Sequence, residues 1–270
     1  AIDAAVAVNF ALAVCHPAAG NIGGGGFLVY RTAKGKAYTL DYREMAPLSS
    51  SRDMYLDSTG QVIPGKSFVG IHSVGVPGSV AGMEAMHKRL GKLAWEELVQ
   101  PAVDLARQGV VLTGKEARGL NRNRADFMKY NPGRAYMVKA DSTLWVEGEL
   151  FIQSDLANTL ERILKFKSKG FYQGETADLF VKEMEHQGGI ITHRDLKSYK
   201  AIWRKPLISQ YKQYSIIGMP PPSSGGVAIG QLFSMIKPYP LARWGAQSDS
   251  TIQVMIEAER RVYADRAKWL

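Results

Sequence analysis

The 270-residue chain contains a single cysteine, Cys15. No intrachain disulfide is possible, and a disulfide-stapled or Cys-ligated zinc fold is excluded. Long apolar runs are also missing. A membrane-spanning helix needs about 18 or more predominantly apolar residues. The nearest approach, Ala1 to Val14, is Ala-rich and is interrupted by Asp3 and Asn9. Histidine is sparse, and His72, His87, His186 and His193 form neither an HExxH pattern nor a paired spacing, so no metal site is predicted. Internal repeats, low-complexity tracts and a clear linker are absent as well.

What remains is ordinary globular material, 46% hydrophobic and 22% charged. Its length allows one large domain or two small ones, with ample residues for a core. The net charge of +9 is compatible with anionic ligands or an acidic partner chain. Charge by itself does not make a nucleic-acid binder, and none is expected.

Hydrophobic periodicity predicts a mixed α/β chain. Residues 1 to 15 read as a helix that is apolar on nearly every face and is therefore expected to be buried, ending at His16-Pro17. Phe27-Leu28-Val29-Tyr30 and Ala37 to Arg43, joined by a turn at Lys34-Gly35-Lys36, predict a β-hairpin with Arg43 at its far end. Helices are predicted at Ser79–Arg89, Trp95–Gln108, Ser154–Lys167 (with Ser154 as cap), Glu175–His186 and Ser250–Leu270. Thr192-His193-Arg194-Asp195 has the form of a capping box. A second hairpin is predicted from Leu207–Tyr211 and Tyr214–Ile217, and a helix from Val227.

Several stretches could carry chemistry. Gly60-Gln61-Val62-Ile63-Pro64-Gly65-Lys66-Ser67 fits G-x-x-x-x-G-K-S. Turn-like residues precede it, however, and no helix start follows, so the phosphate-binding context is missing. Gly23 to Gly26 depart from G-x-G-x-x-G because position 28 is Leu, and they precede a strand. They mark either a tightly packed turn or a close approach of backbone to a ligand. Cys15 and His16 are adjacent, and adjacent helix residues do not face each other, so Cys15 reads as a core thiol. Ser79 and Ser223-Ser224 lack the G-x-S-x-G elbow, and the serine pair reads as a rigid turn with a helix cap. Arg118, Arg122, Arg124, Lys129, Arg134 and Lys139, interleaved with Phe127, Tyr130 and Tyr136, read as a solvated helix face rather than a polyanion surface. On residue types alone, Arg43 is either a strand-end cation paired with Asp41 or Glu44, or a guanidinium aimed at a carboxylate.

Taken together, the stretches Ala1-Ile2-Asp3-Ala4-Ala5-Val6-Ala7-Val8, His16-Pro17, Gly20-Asn21-Ile22-Gly23-Gly24-Gly25-Gly26-Phe27, Asp41-Tyr42-Arg43-Glu44-Met45-Ala46-Pro47, Met219 to Gly226 and Tyr263-Ala264-Asp265-Arg266 resemble the large chain of the γ-glutamyltranspeptidase family. The matches run in family order across essentially the whole sequence.

The resemblance implies a four-layer αββα N-terminal-nucleophile hydrolase fold, with residues 1–270 as one large-chain region. It implies a proenzyme that cleaves itself into a large and a small chain, with the N-terminal Thr of the small chain as nucleophile. It further implies a γ-glutamyl-enzyme formed from glutathione or a relative, transfer to water or an amino acid, no cofactor, and a periplasmic or secreted location. Related chemistry on other substrates, in a poly-γ-glutamate depolymerase or a cephalosporin acylase, is the alternative, as is a non-catalytic homologue. Arg43 matches the family's arginine contact to the substrate α-carboxylate. No catalytic residue is assigned within this chain: the nearest echo of the family's Thr-Thr-His run, Thr192-His193, falls at the predicted helix cap.

Overall fold

The computed structural model describes residues 1–131 and 137–270. In chain order its elements are α1 (Ile2–Cys15), β1 (Phe27–Arg31), β2 (Ala37–Asp41), a 3-10 turn (Ile71–Ser73), α2 (Ser79–Leu90), α3 (Trp95–Gln108), β3 (Val110–Val111), α4 (Gly114–Arg122), α5 (Arg124–Tyr130), β4 (Leu150–Phe151), α6 (Ser154–Phe166), α7 (Lys169–Tyr172), α8 (Glu175–His186), α9 (His193–Ser198), β5 (Ile202–Arg204), β6 (Leu207–Tyr211), β7 (Tyr214–Gly218), α10 (Gly225–Ile236), α11 (Leu241–Trp244) and α12 (Asp249–Trp269). Among the described residues the strands form three small antiparallel sheets, ordered β1-β2-β5, β3-β4 and β6-β7. No described helix is long and apolar enough to cross a membrane. The backbone divides into two compact units, residues 1–26 with 42–201, and residues 27–41 with 202–270.

In the first unit the core forms where α1, α3 and α6 pack together. Trp95, 2% exposed, sets its ring edge-on to Phe10 at 5.7 Å and donates its indole N–H to the Ile163 carbonyl at 3.1 Å. One side chain thus ties three helices. Truncating a core tryptophan of this kind costs about 3–5 kcal/mol. α1 departs from its predicted all-round burial: Ile2, Val6, Phe10, Ala13 and Val14 are buried, whereas Val8 is 53% and Leu12 44% exposed. Its helical neighbours α2 and α3 cover one side only. α6 begins at the predicted residue without the predicted cap. Its N-cap is Gln153 and makes no side-chain cap bond, because the buried Gln153 amide instead donates to the Val14 carbonyl at 2.9 Å. A smaller cluster of Leu112, Ala117, Leu120 and Phe151, with Phe127, Met137 and Trp145 against it, takes in Phe151 of the β3-β4 pair. At α9 the predicted capping box is present: Thr192 Oγ1 accepts from the Asp195 N–H, and the Asp195 carboxylate accepts from the Thr192 N–H at 2.8 Å.

In the second unit β1 and β2 pair in the register Tyr30 to Tyr38, and β2 pairs with β5 through Leu40 and Trp203. Gly35, at φ 85°, supplies the turn conformation between β1 and β2. Asp41 Oδ2 accepts from Arg204 Nε at 2.9 Å and from Nη2 at 2.7 Å, fastening the ends of β2 and β5. The β6-β7 hairpin packs against α10, and α10 against α12. The Ser223-Ser224 turn differs in detail from its predicted capping role. Ser224 occupies the N-cap without a cap bond and its Oγ accepts from Arg266 Nε at 3.0 Å, joining α12 to the turn.

Candidate functional site

The first unit holds the segment Tyr42 to Pro47 between two sets of backbone hydrogen bonds. On one side Tyr42 exchanges N–H and C=O with Gly26, at 3.0 and 3.2 Å; on the other Met45 exchanges them with Val76, at 3.1 and 2.8 Å. The Gly78 and Ser79 N–H groups both donate to the Gly24 carbonyl, at 2.8 and 2.9 Å, so the glycine run and the start of α2 are fastened to each other as well.

The glycines are there for proximity. A Cβ on Gly25 would fall 2.5 Å from the Tyr42 carbonyl oxygen, 2.7 Å from the Glu44 nitrogen and 2.9 Å from the Arg43 carbonyl carbon. On α2, a Cβ on Gly82 would meet the Tyr42 ring at 2.3 Å. Tyr42 is accordingly half-buried, and burial raises the pKa of its hydroxyl. Of the two readings left open by the sequence for Gly23–Gly26, the packed one describes Gly24 to Gly26: Gly24 lies against the Asn21 and Glu44 side chains, Gly26 against the Tyr42 ring, and Gly25 against the backbone that carries Arg43.

Arg43 is at the surface, and its carbonyl accepts a 2.8 Å hydrogen bond from the Tyr199 hydroxyl. Leu48, shortly after, donates its N–H to Asp195 Oδ1 at 2.6 Å. Burial pushes the Asp195 carboxyl up, but the donors on Leu48 and Thr192 outweigh it and hold its pKa below the ordinary value. A guanidinium on a backbone fixed in this way suits recognition of a planar carboxylate by two parallel, charge-assisted hydrogen bonds. Tyr199, Gly78 and Gly82 escape sequence reasoning: each meets residues 42–43 from far along the chain, and no spacing motif marks such a meeting.

The other sequence candidates are accounted for without ligands. Residues 57–67 form turns around Asp57, whose Oδ1 accepts from the N–H groups of Thr59 and Gln61, and no strand or helix flanks them as a phosphate loop requires. Cys15 is half-buried rather than fully buried. Its thiol pKa is raised, first by burial and then by Glu116, which is opposite to what a reactive thiolate needs. Thr192 is committed to the α9 cap, and His193 Nε2 lies 2.8 Å from Asp178 Oδ1. Arg118, Arg122 and Lys129 are exposed on α4 and α5, Phe127 turns into the small core, and Lys139 pairs with Glu149 at 2.5 Å. Arg134 and Tyr136 of that stretch lie outside the described residues. Among the described residues no group of three or more His, Cys, Asp or Glu side chains could hold a metal ion.

The whole chain, residues 1–270, matches the family model for Gamma-glutamyltranspeptidase. Its sequence is 44% identical over 272 residues to a glutathione hydrolase proenzyme of Pseudomonas sp. (strain A14), covering 100% of this chain and 47% of that protein. The backbone superposes on the crystal structure of Helicobacter pylori gamma-glutamyltranspeptidase with a TM-score of 0.97 at 46% identity, over 100% of this chain and 77% of that one. More distant are the Bacillus anthracis transpeptidase enzyme CapD, at 30% identity and a TM-score of 0.79 over 99% of this chain and 84% of that one, and cephalosporin acylase from Bacillus halodurans, at 25% and 0.84 over 98% and 49%. The chain spans about half the length of the curated relatives it matches. It has their mixed α/β N-terminal-nucleophile hydrolase fold, and it belongs to the γ-glutamyltranspeptidase family.

Proposed function

We propose that residues 1–270 form the large-chain region of a γ-glutamyltranspeptidase that acts on the γ-glutamyl amide of glutathione and related compounds. In this reading the partner is a small chain cleaved from the same precursor, and its N-terminal Thr is the nucleophile. The Thr hydroxyl attacks the γ-carbonyl, the amine of the leaving group departs with a proton, and a γ-glutamyl ester forms on the enzyme. Water or the amino group of an acceptor amino acid then takes the acyl group and restores the hydroxyl. Arg43 holds the substrate α-carboxylate, and no cofactor enters the cycle. In this reading this chain by itself is inactive, because the nucleophile belongs to the small chain. Family likeness also suggests a periplasmic or secreted enzyme.

The observation that carries the reading is the fixed, glycine-packed backbone beneath an exposed arginine, in a segment that resembles the family's motif. The test is substrate kinetics on the full-length, self-processed protein. Release of glutamate or transfer of the γ-glutamyl group from glutathione is the expected result. Turnover of poly-γ-glutamate or a cephalosporin amide in preference to glutathione would move the assignment to the related acylases. A processed or unprocessed protein inert on all of them would mark a non-catalytic homologue.

A further inference from the structure

We infer that Tyr199 is a positioning residue for Arg43, holding the main chain beneath the guanidinium so that its fork meets the carboxylate at a set angle. The inference rests on the reading of Arg43 as the α-carboxylate contact. Tyr42 and Met45 are held by paired backbone bonds to Gly26 and Val76. Arg43 and Glu44 lie between those pairs, where the Arg43 peptide carbonyl receives the Tyr199 hydroxyl at 2.8 Å. That bond is made across 156 residues of sequence. The peptide plane after Arg43 is thus oriented by a side chain from another part of the unit.

Tyr199 is itself built to stay still. It is 9% exposed and follows α9, where its N–H donates to the Leu196 carbonyl at 3.3 Å. Its ring stacks on Tyr172 with centroids 5.7 Å apart and planes 3° from parallel. Tyr172 is anchored in turn, donating to the Pro77 carbonyl at 2.8 Å and accepting from the Ala81 N–H at 3.3 Å. Room for the arrangement comes from Gly78, where a Cβ would lie 2.0 Å from the Tyr42 oxygen and 2.1 Å from the Tyr199 hydroxyl. α9 grips the same segment a second time through Asp195 and the Leu48 N–H. Two contacts from one short helix and its end therefore bracket Arg43 to Leu48. A bidentate Arg–carboxylate pair is sensitive to angle as well as distance, so loosening this bracket should weaken binding without touching the reacting atoms.

The test uses the complete two-chain enzyme and the variants Tyr199→Phe, Arg43→Ala and the double variant. Two amide substrates are compared, one with the γ-glutamyl α-carboxylate and one identical but lacking it. Tyr199→Phe keeps the ring and its stack, removing only the hydroxyl. It is expected to raise KM for the carboxylate-bearing substrate by about three- to tenfold, the loss of one hydrogen bond, with kcat within about twofold and KM for the decarboxylated substrate unmoved. In the Arg43→Ala background the hydroxyl should no longer matter, so the double variant should match Arg43→Ala alone. A Tyr199→Phe enzyme with unchanged KM beside an Arg43→Ala enzyme with raised KM overturns the positioning role. Equal KM effects on both substrates, or multiplicative effects in the double variant, overturn it too. An unchanged KM in Arg43→Ala overturns the carboxylate reading itself, and the positioning role with it.

Discussion

Two glycine-containing stretches of this chain dispense with side chains for different physical reasons. At Gly25 the reason is distance, since a Cβ would sit 2.5 Å from the Tyr42 carbonyl oxygen. At Gly60 and Gly65 it is conformation: their φ angles are 82° and 79°, and nothing lies within 4 Å of either added Cβ. The second stretch fits a well-known phosphate-loop formula and yet is a set of open turns. The first fits no formula and lies against the backbone of the candidate ligand contact. What the comparison teaches is that a glycine pattern acquires functional meaning from what packs on it.

The largest expected effect tests whether the first stretch has that meaning at all. In the complete enzyme, Arg43→Ala should weaken γ-glutamyl substrates by about 2–4 kcal/mol, the range for truncating one partner of a buried charged pair. Arg43→Lys should recover only part, because an ammonium cannot reproduce the guanidinium fork. Steady-state kcat/KM on glutathione reads both, and an unchanged value for Arg43→Ala would falsify the role of this segment in binding.

Next in size is Gly25→Ala. The atoms its Cβ would meet are backbone, so the main chain has to shift, and overpacking of this kind costs about 1–3 kcal/mol. Thermal unfolding should show the lowered stability, and KM for the carboxylate-bearing substrate should rise on the same sample. A lowered Tm with an unmoved KM would separate packing from function and reduce the glycine run to a structural feature.

How far such distinctions could be read from sequence depends on the range of the interaction. The limits of α3, Trp95 to Gln108, follow from local periodicity and agree with the structure. So does the Thr192–Asp195 capping box, whose partners are neighbours in sequence. The N-cap of α6 was not legible, because Gln153 is drawn into the core by the Val14 carbonyl 139 residues away. Nor was the open side of α1, because burial of an all-apolar helix depends on which elements come to cover it. The site divides the same way. Arg43 stood out through a family motif, while residue types alone favoured a pairing with Asp41 or Glu44. Tyr199 carried no local signal whatever, since its chemistry is one hydroxyl meeting one distant carbonyl.

A smaller effect is expected where α9 grips the segment for the second time. Asp195→Ala removes the carboxylate half of the helix cap and the Leu48 contact, leaving the Thr192 hydroxyl bonded to the backbone N–H of residue 195, at a cost of about 1–2 kcal/mol. Its folded pKa lies below the ordinary value, so the carboxylate's contribution is present above the unfolded aspartate pKa, about 3.9. That contribution is lost as pH falls through the folded value. The Tm difference between the parent protein and Asp195→Ala should therefore be full at neutral pH and shrink below about pH 4. A difference that stays constant on acidification would mean that the ionised carboxylate contributes nothing.

The smallest effect belongs to the open turn. Gly60→Ala places a side chain at φ 82°, a left-handed conformation that costs an L-residue about 1 kcal/mol. There is space for the methyl group, with no atom within 4 Å, so nothing else has to move. The expected result is a small fall in Tm with kcat and KM for glutathione unchanged, the reverse of the Gly25→Ala pattern. A changed KM in Gly60→Ala would break the comparison from its other side. It would mean that the turns of residues 57–67 reach substrate after all, and that the phosphate-loop lookalike had been set aside for the wrong reason.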